Sequence, residues 1–513
     1  MNNIFDKLKN YSDSDYYAFH MPGHKRNLDL MDGTSPYRID ITEIDGFDDL
    51  HHAEGILRDA QERAARVYHA DETHFLVNGS TVGILSAILG TTEKGDSILV
   101  ARNCHKSVYH AIYLNELDPV YLYPKFDTEQ GLSTEIDAAD VQKALEEHPK
   151  ICAVMIVSPT YDGVVSDIEK IAEIVHAKGC PLIVDEAHGA HFGFDPYFPK
   201  SANIYGADLV INSLHKTLPA LTQTALLHVN GDMVKRRKVK QYLDMLQTSS
   251  PSYILMASID ACIHLLEETQ LQKCSIFKEY AAHIDTLREE LKKLKYLKII
   301  RTENTDRYDR SKFVISVKHA PMSSHELYER LLRDYHLQME MLAGTYVLAM
   351  TTVGDTQEGL DRLRDALLAI DAEIDTKLKS GSGQEDAGQK QKPMQMTDTD
   401  LPLSGRQPSL EKVWTIAKAV KCRDKMQNQN HQKDSEDILY LVNPDKMEKR
   451  NFKDSAGCIS LEYAYLYPPG SPLIVPGERI TQEAVEILCW YQEHDFSIEG
   501  LQSEDSIEVW IDG

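Results

Sequence analysis

The sequence predicts an α/β protein whose main unit is a mainly parallel sheet covered by helices on both faces, followed by a small α/β domain and a C-terminal α+β domain. Three observations carry that expectation. Between about residues 73 and 230, short apolar runs alternate with helix-period segments, the pattern of strands joined by crossover helices. Two of the runs, ICAVMIV (151–157) and PLIVDEA (181–187), are nearly continuous in apolar residues, as suits strands buried on both faces. Finally, 42% of the 513 residues are hydrophobic and 26% charged, unlike a disordered, collagenous or disulfide-scaffold chain. At roughly 100–200 residues per domain, the length allows about three domains, each with its own core.

Taken in order, a leading segment covers residues 1–70 and the large domain residues 71–299. THFLV (73–77) reads as a strand, Asn78-Gly79-Ser80 as a turn, and a helix follows from Thr81 with Val82, Leu85, Ile88 and Leu89 on its buried side. SILVA (97–101) and ICAVMIV are further strands. Asp167 can cap a helix whose Ile168, Ile171, Ile174 and Val175 form one stripe, ended by Gly179. PLIVDEA, ADLVINS (207–213) and TALLHVN (224–230) continue the sheet. The small domain, 300–377, has KFVISVKH as a strand, a helix after Ser323 and Ser324, YVLAMTTVG as a strand and a last helix. That helix opens with Asp355 and, three residues later, Glu358, a capping-box spacing. Residues 378–399, rich in Gly, Ser, Gln and Lys, read as a flexible linker. The C-terminal domain, 400–513, contains a polar stretch at 423–437 that reads as a surface loop.

The charge excludes some partners. With 55 basic and 80 acidic side chains the formal net charge is −25, whereas a nucleic-acid binder presents a basic stripe to phosphates. KRRKVK (235–240) is the nearest to one and reads as a solvated helix face. No apolar run reaches the roughly 18 residues of a membrane span, and MNNIFDKLKN lacks the apolar stretch of a signal peptide. A cytoplasmic protein is expected. Its eight cysteines are scattered without a CxxC pair or zinc spacing, so reduced thiols and no metal site are expected.

Chemistry concentrates at strand ends. ADLVINS runs into Ser213-Leu214-His215-Lys216, and the carboxyl ends of parallel strands are where α/β sheets build their crevices. Asp185, 31 residues earlier, ends the apolar run LIVD. A carboxylate there costs several kcal/mol of desolvation unless a cation or strong donor meets it. It either braces a turn or pairs with the protonated ring nitrogen of pyridoxal phosphate, whose aldehyde Lys216 would hold as a Schiff base. A phosphate also needs donors. Gly79-Ser80-Thr81 opens a helix, whose positive end and two hydroxyls suit an anion as well as plain capping. Ser213 and His215 flank the lysine and can add donors. His105, in RNCHKS after SILVA, is either a satisfied histidine or one that stacks on the pyridine ring. His188 can orient Asp185 or a ring substituent.

Several stretches together resemble one family: FHMPGHK (19–25), DITEIDGFDDLHHAEG (40–55), FLVNGSTVGIL (75–85), RNCHKS (102–107), SPTYDGVVSDI (158–168), VDEAHGAH (184–191), NSLHKTLPALTQ (212–223), TSSPSY (248–253) and YPPGSPLIVPGE (467–478). In this order they are similar to the bacterial pyridoxal-phosphate-dependent decarboxylases of the ornithine/lysine/arginine type, which have the aspartate-aminotransferase-like fold type I. The resemblance implies Lys216 as the Schiff-base lysine, Asp185 as the pyridinium partner and His105 as the stacking histidine. Ser80, Thr81, Ser213 and His215 would hold the phosphate. Thr248 or Ser249 would reach the phosphate of a neighbouring subunit, so residues 1–70 and TSSPSY would help build a site shared across a homodimer. Only 19 residues precede HMPGHK, which implies a short form without the N-terminal wing domain and speaks against the ring of dimers that winged relatives form.

The implied reaction is decarboxylation of a basic L-amino acid, arginine or lysine before ornithine, to carbon dioxide and the corresponding amine of polyamine biosynthesis. Glu462, in CISLEYAYLYPPG, is the candidate acceptor for the substrate's distal cation, or else an outward strand residue paired with solvent. Two rivals share parts of this pattern. An aminotransferase would need a small-domain arginine for the α-carboxylate, among Arg301, Arg307, Arg310, Arg330 and Arg333. A non-catalytic cofactor-binding regulator would have no need of the Asp185 and Lys216 pair.

Overall fold

The computed structural model describes residues 14–19, 46–300, 307–381, 407–427, 446–467, 470–494 and 496–511, with 23, 25, 27, 36 and 40–44 among those between the first two. The expected linker beyond 381 and most of the 423–437 loop lie outside the described residues, as does Arg301.

The chain first forms β1 (Tyr17–Phe19) and then the seven strands of the main sheet. These are β2 (Glu72–Leu76), β3 (Ser97–Ala101), β4 (Asp118–Leu122), β5 (Ile151–Val157), β6 (Leu182–Asp185), β7 (Leu209–Asn212) and β8 (Ala225–Val229). They lie in the order β2-β8-β7-β6-β5-β3-β4. Only β8 runs antiparallel to its neighbours, β2 and β7. Strand alternation divides two cores: Phe75 and Val77 face one, Leu76 the other. LIVD and LVIN are buried at every position, which is why they are apolar up to their last residues, Asp185 and Asn212.

Helices α1 (Gly79–Thr91), α2 (Lys106–Leu114), α3 (Ile168–Ala177) and the single turn α4 (Leu214–Thr217) follow β2, β3, β5 and β7. Asp167 caps α3 by accepting from the Lys170 N–H. Helix α1 differs from its expected one-sided pattern. It begins two residues early, and Val82, Ile84, Ala87, Ile88 and Leu89 are all buried while Leu85 is only half-buried. The cause is a second layer: Arg236–Leu246 packs over its far side, so closely at Gly90 that a Cβ would fall 2.8 Å from the Val239 Cα.

The small domain pairs β9 (Lys298–Ile299), β10 (Lys312–Ser316), β12 (Met341–Leu342) and β13 (Tyr346–Met350) in the order β9-β10-β13-β12, while β11 (Leu337–Met339) takes β1 as a parallel partner. Helix α5 (Ser324–Arg333) is capped by Ser323, and α6 (Gln357–Gly381) runs past the expected boundary at 377. Thr356, not Asp355, caps α6, its hydroxyl accepting the Gly359 N–H at 3.2 Å. Asp355 is instead drawn inward, accepting from the Tyr17 hydroxyl and the Thr352 N–H. The C-terminal unit holds a five-stranded and a three-stranded antiparallel sheet around α7 (Gln482–Glu493).

His228 sits in the middle of β8, fully buried opposite Thr73, whose hydroxyl lies 2.7 Å from its Nδ1. Burial pushes this imidazole down to about 3. Since the folded value lies below the ordinary value of about 6.5, acid protonates the unfolded chain first and stability drains away as pH falls below 6.5. Between pH 7.5 and 5.5 the wild type should lose about 1.4 kcal/mol more than His228→Gln, measured as the difference of urea-unfolding free energies. Equal losses in the two proteins would contradict the assignment.

Candidate active site

The carboxyl ends of the parallel strands open into a cavity of about 550 Å³. Asp185 is the last residue of β6 and is 3% exposed, with the Ala187 N–H donating to its Oδ1 at 3.0 Å. The turn α4 carries Lys216 up from the end of β7, and its Nζ lies 3.1 Å from His188 Nε2. His105 caps α2 just beyond β3, its Nδ1 engaged by the Ser107 hydroxyl at 2.9 Å. Gly79, Ser80 and Thr81 bring the positive end of α1 to the same cavity, facing His215. Of the residues singled out from sequence, Ser80, Thr81, His105, Asp185, His188, His215 and Lys216 all line this space.

Burial shapes their protonation. It pushes Lys216 down, against the pull of Asp185, and pushes Asp185 up, against the pull of Lys216. It also brings His105 to about 3 and His215 to about 4, and holds His188 well below the usual histidine range. Lys216 adds to each of these three depressions. The imidazoles are therefore neutral at ordinary pH, and the lysine amine is one whose proton is easily shed.

Other singled-out residues stand elsewhere. Ser213 is fully buried behind the cavity wall. Thr248 and Ser249 are exposed and outside the cavity. The Thr248 N–H donates to Asn78 Oδ1, next to the start of α1. Glu462 does not reach the cavity. It is 1% exposed in the C-terminal unit, where its two carboxylate oxygens accept the N–H groups of Gln502 and Glu508, each at 2.8 Å. One N–H from a loop, Gln502, and one from the strand Ser506–Trp510, Glu508, thus engage both of its oxygens.

Several contributors went unremarked in the sequence. Tyr161 and Asp162, on the loop after β5, line the cavity. The Tyr161 ring packs on His188 with centroids 4.4 Å apart. A strand-end rule applied to ICAVMIV as it was to LIVD would have pointed to both. Gly23 comes so close to α4 that a Cβ would stand 2.7 Å from the Leu218 backbone N and O, and its N–H donates to the His215 carbonyl at 2.6 Å.

Arg102, wholly buried, donates to both carboxylate oxygens of Glu478 at 3.1 and 2.9 Å and to the Pro472 and Leu473 carbonyls. It fastens the C-terminal unit over the cavity. There the Ser471 hydroxyl donates to the Asn103 carbonyl, and the Lys106 N–H to that of Gly470.

Residues 2–336 match the family model described as the Orn/Lys/Arg decarboxylase major domain, and residues 423–504 match the corresponding C-terminal domain. The chain belongs to the Orn/Lys/Arg decarboxylase family. It is 33% identical over 500 residues to the uncharacterized protein YaaO of Bacillus subtilis (strain 168), covering 94% of this chain and 93% of that one. With an arginine decarboxylase of Bacillus anthracis it shares 29% over 508 residues, 97% of this chain and 94% of the other. The solved lysine decarboxylase A from Pseudomonas aeruginosa has the same fold, with a TM-score of 0.72 over 99% of this chain and 80% of that one, at 19% identity. The α/β architecture expected from sequence is thus that of the family's enzymes.

The cofactor that this family implies, pyridoxal phosphate, can be tested against the polar atoms present. Among the described residues, the Nδ1 of His188, a side chain that lines the cavity, is buried without a hydrogen-bond partner, an omission worth about 1–3 kcal/mol. Asp185 forms no ion pair among the described residues, and a helix N-terminus faces the same space. An anion at one end and a protonated ring nitrogen at the other would satisfy these groups, so the residues fit. No small-domain arginine lines the cavity among the described residues. Arg307, Arg330 and Arg333 are paired with Asp167, Glu373 and Glu329, and Arg310 lies over Tyr197.

Glu478→Gln should leave the Arg102 guanidinium buried without its counter-charge and lower stability by about 3–5 kcal/mol. A urea titration reads this as a lower midpoint at unchanged slope; an unmoved midpoint would mean that the pair does not hold the C-terminal unit.

Proposed function

We propose that the chain is a pyridoxal-phosphate-dependent decarboxylase of a basic L-amino acid, with arginine its preferred substrate. The observation that carries this reading is the convergence of Lys216, Asp185, His105 and the start of α1 on one cavity. Arginine is favoured over lysine because the arginine decarboxylase of Bacillus anthracis is 29% identical over 97% of this chain, whereas lysine decarboxylase LdcA of Pseudomonas aeruginosa matches over only 52% of it, at 25%.

Ser80, Thr81 and His215, which line the cavity, would hold the phosphate, Asp185 the ring nitrogen and Lys216 the aldehyde; Ser213, which does not line it, would join only if its buried hydroxyl turned toward the phosphate. Bound there, the cofactor supplies a sink for the electron pair left behind when the carboxylate departs. Asp185 would keep the proton on the ring nitrogen: the positive ring would draw the buried acid back to its ionised form, and burial strengthens the pair so formed. His105, neutral at working pH, would cover one face and keep water from it. Lys216 Nζ, in the same cavity, would return a proton to the α-carbon. His188 Nε2, 3.1 Å behind it, orients that amine.

The absence of a carboxylate-gripping arginine among the described lining residues fits a reaction in which that carboxylate must leave. Of the small-domain arginines that an aminotransferase would need, Arg307, Arg310, Arg330 and Arg333 are not among the lining residues, and Arg301 lies outside the described residues. The intact Lys216 and Asp185 argue likewise against a non-catalytic regulator. We also propose that the active form is a homodimer or higher homo-oligomer. Thr248 and Ser249, exposed beside the start of α1, would then serve the partner's phosphate.

Carbon dioxide release from arginine, lysine and ornithine, assayed in parallel without any keto acid, should be greatest from arginine. Lys216→Ala should lose both the visible absorbance of the lysine-bound cofactor and turnover, the latter by several orders of magnitude. Survival of colour and turnover together would overturn the site.

A further inference from the structure

The structure leaves the substrate's distal cation without the acceptor expected from sequence, since Glu462 is turned to the backbone N–H groups of Gln502 and Glu508, away from the cavity. Among the described residues that line the cavity there are two carboxylates, Asp185 and Asp162. Asp185 belongs to the ring nitrogen in the reading above. Asp162 lies away from it, on the loop after β5. Its neighbour Tyr161 packs on His188, and the Asp162 side chain turns instead to Tyr346 of the small domain, on the same cavity wall.

Its surroundings hold the side chain still. Residues 160–164 form a tight turn, with the Gly163 N–H donating to the Thr160 carbonyl and the Val164 N–H to the Thr160 hydroxyl, both at 3.0 Å. The Gly163 carbonyl in turn accepts the Asp309 N–H at 2.8 Å, tying the turn to the small domain. From β13 of that domain the Tyr346 hydroxyl donates to Asp162 Oδ1. Lys312, buried behind the turn, acts on Asp162 at longer range, yet no ion pair to Asp162 forms among the described residues. The carboxyl is consequently a half-buried acid with one oxygen oriented by a hydroxyl, the charge of Lys312 behind the turn, and no ion pair among the described residues. Burial lifts it to about 6, and a cation drawn up beside it would bring it back toward the ionised form.

We propose that Asp162, oriented by Tyr346, accepts the distal cation of the amino-acid substrate and so selects basic side chains over neutral ones. This inference rests on the decarboxylase reading. A carboxylate desolvated in this way rejects a neutral isostere chiefly because it would be left without its counter-charge. Citrulline, which has arginine's shape with a urea in place of the guanidinium, is the discriminating analogue.

The test uses the cofactor-loaded full chain as wild type, Asp162→Asn and Tyr346→Phe. Two readouts are taken with arginine and with citrulline: carbon dioxide release, and the change in the cofactor's visible absorbance as amino acid is titrated in. Asp162→Asn should retain its colour, raise the KM and the binding midpoint for arginine about 10–100-fold with a much smaller change in kcat, and shrink the preference for arginine over citrulline by a similar factor. Tyr346→Phe should weaken arginine about fivefold and citrulline less. An Asp162→Asn protein with the wild-type midpoint and preference overturns the proposal, as does one that loses kcat alone. Should Asp162→Asn fail to fold, an unshifted arginine midpoint in Tyr346→Phe overturns it. If the wild type releases carbon dioxide from no basic amino acid, the decarboxylase reading fails, while the absorbance titrations still decide whether Asp162 selects the cation.

Discussion

A carboxylate at the end of a strand buried on both faces, with an amine rising from the next strand to meet it, is the constraint around which this molecule is arranged. Neither Asp185 nor Lys216 gains much from the other in isolation. Burial penalises both charges, lifting the proton affinity of the acid and depressing that of the amine. The parallel sheet fixes β6 and β7 side by side, so the two groups cannot part to find water. Sites of this kind hold poised protonation states because the scaffold does not relax. The surrounding imidazoles of His105, His188 and His215 follow the same logic and are kept neutral.

Much of this was legible in the sequence, for identifiable reasons. Strands buried on both faces write themselves as apolar runs, and ICAVMIV coincides with β5 residue for residue. Polar residues that interrupt such runs at their carboxyl ends stand out, which is how Asp185, Lys216 and His105 come to notice. The features that escaped depend on contacts across long stretches of chain. Asp355 has the spacing of a cap, but Tyr17, 338 residues away, claims its carboxylate, leaving Thr356 to close the helix. Glu462 stands before a conspicuous motif, yet the backbone N–H groups of Gln502 and Glu508, 40 and 46 residues on, decide its direction. Whether α1 buries one side or nearly all of its circumference depends on a second helix layer that its own periodicity does not announce.

The C-terminal unit shows why distant segments share one site. Arg102 follows β3 directly, three residues before His105, and reaches Glu478 and the carbonyls of Pro472 and Leu473. A guanidinium suits the task because its fork satisfies a carboxylate and several carbonyls in one plane. The strand that presents His105 therefore also anchors the roof above it, and Tyr467, Ser471 and Leu473 become part of the cavity wall.

The short N-terminal stretch around Gly23 has a mechanical meaning. Its N–H is tied to the carbonyl of His215, its own carbonyl to the Thr352 hydroxyl, and the Lys25 amine to the Met350 carbonyl. One strip of backbone thus bolts the turn bearing Lys216 to the edge of β13 in the small domain. Any rocking of that lobe about the sheet would tug directly on the lysine, so its reach is set by the posture of the lobe as well as by its own rotamer.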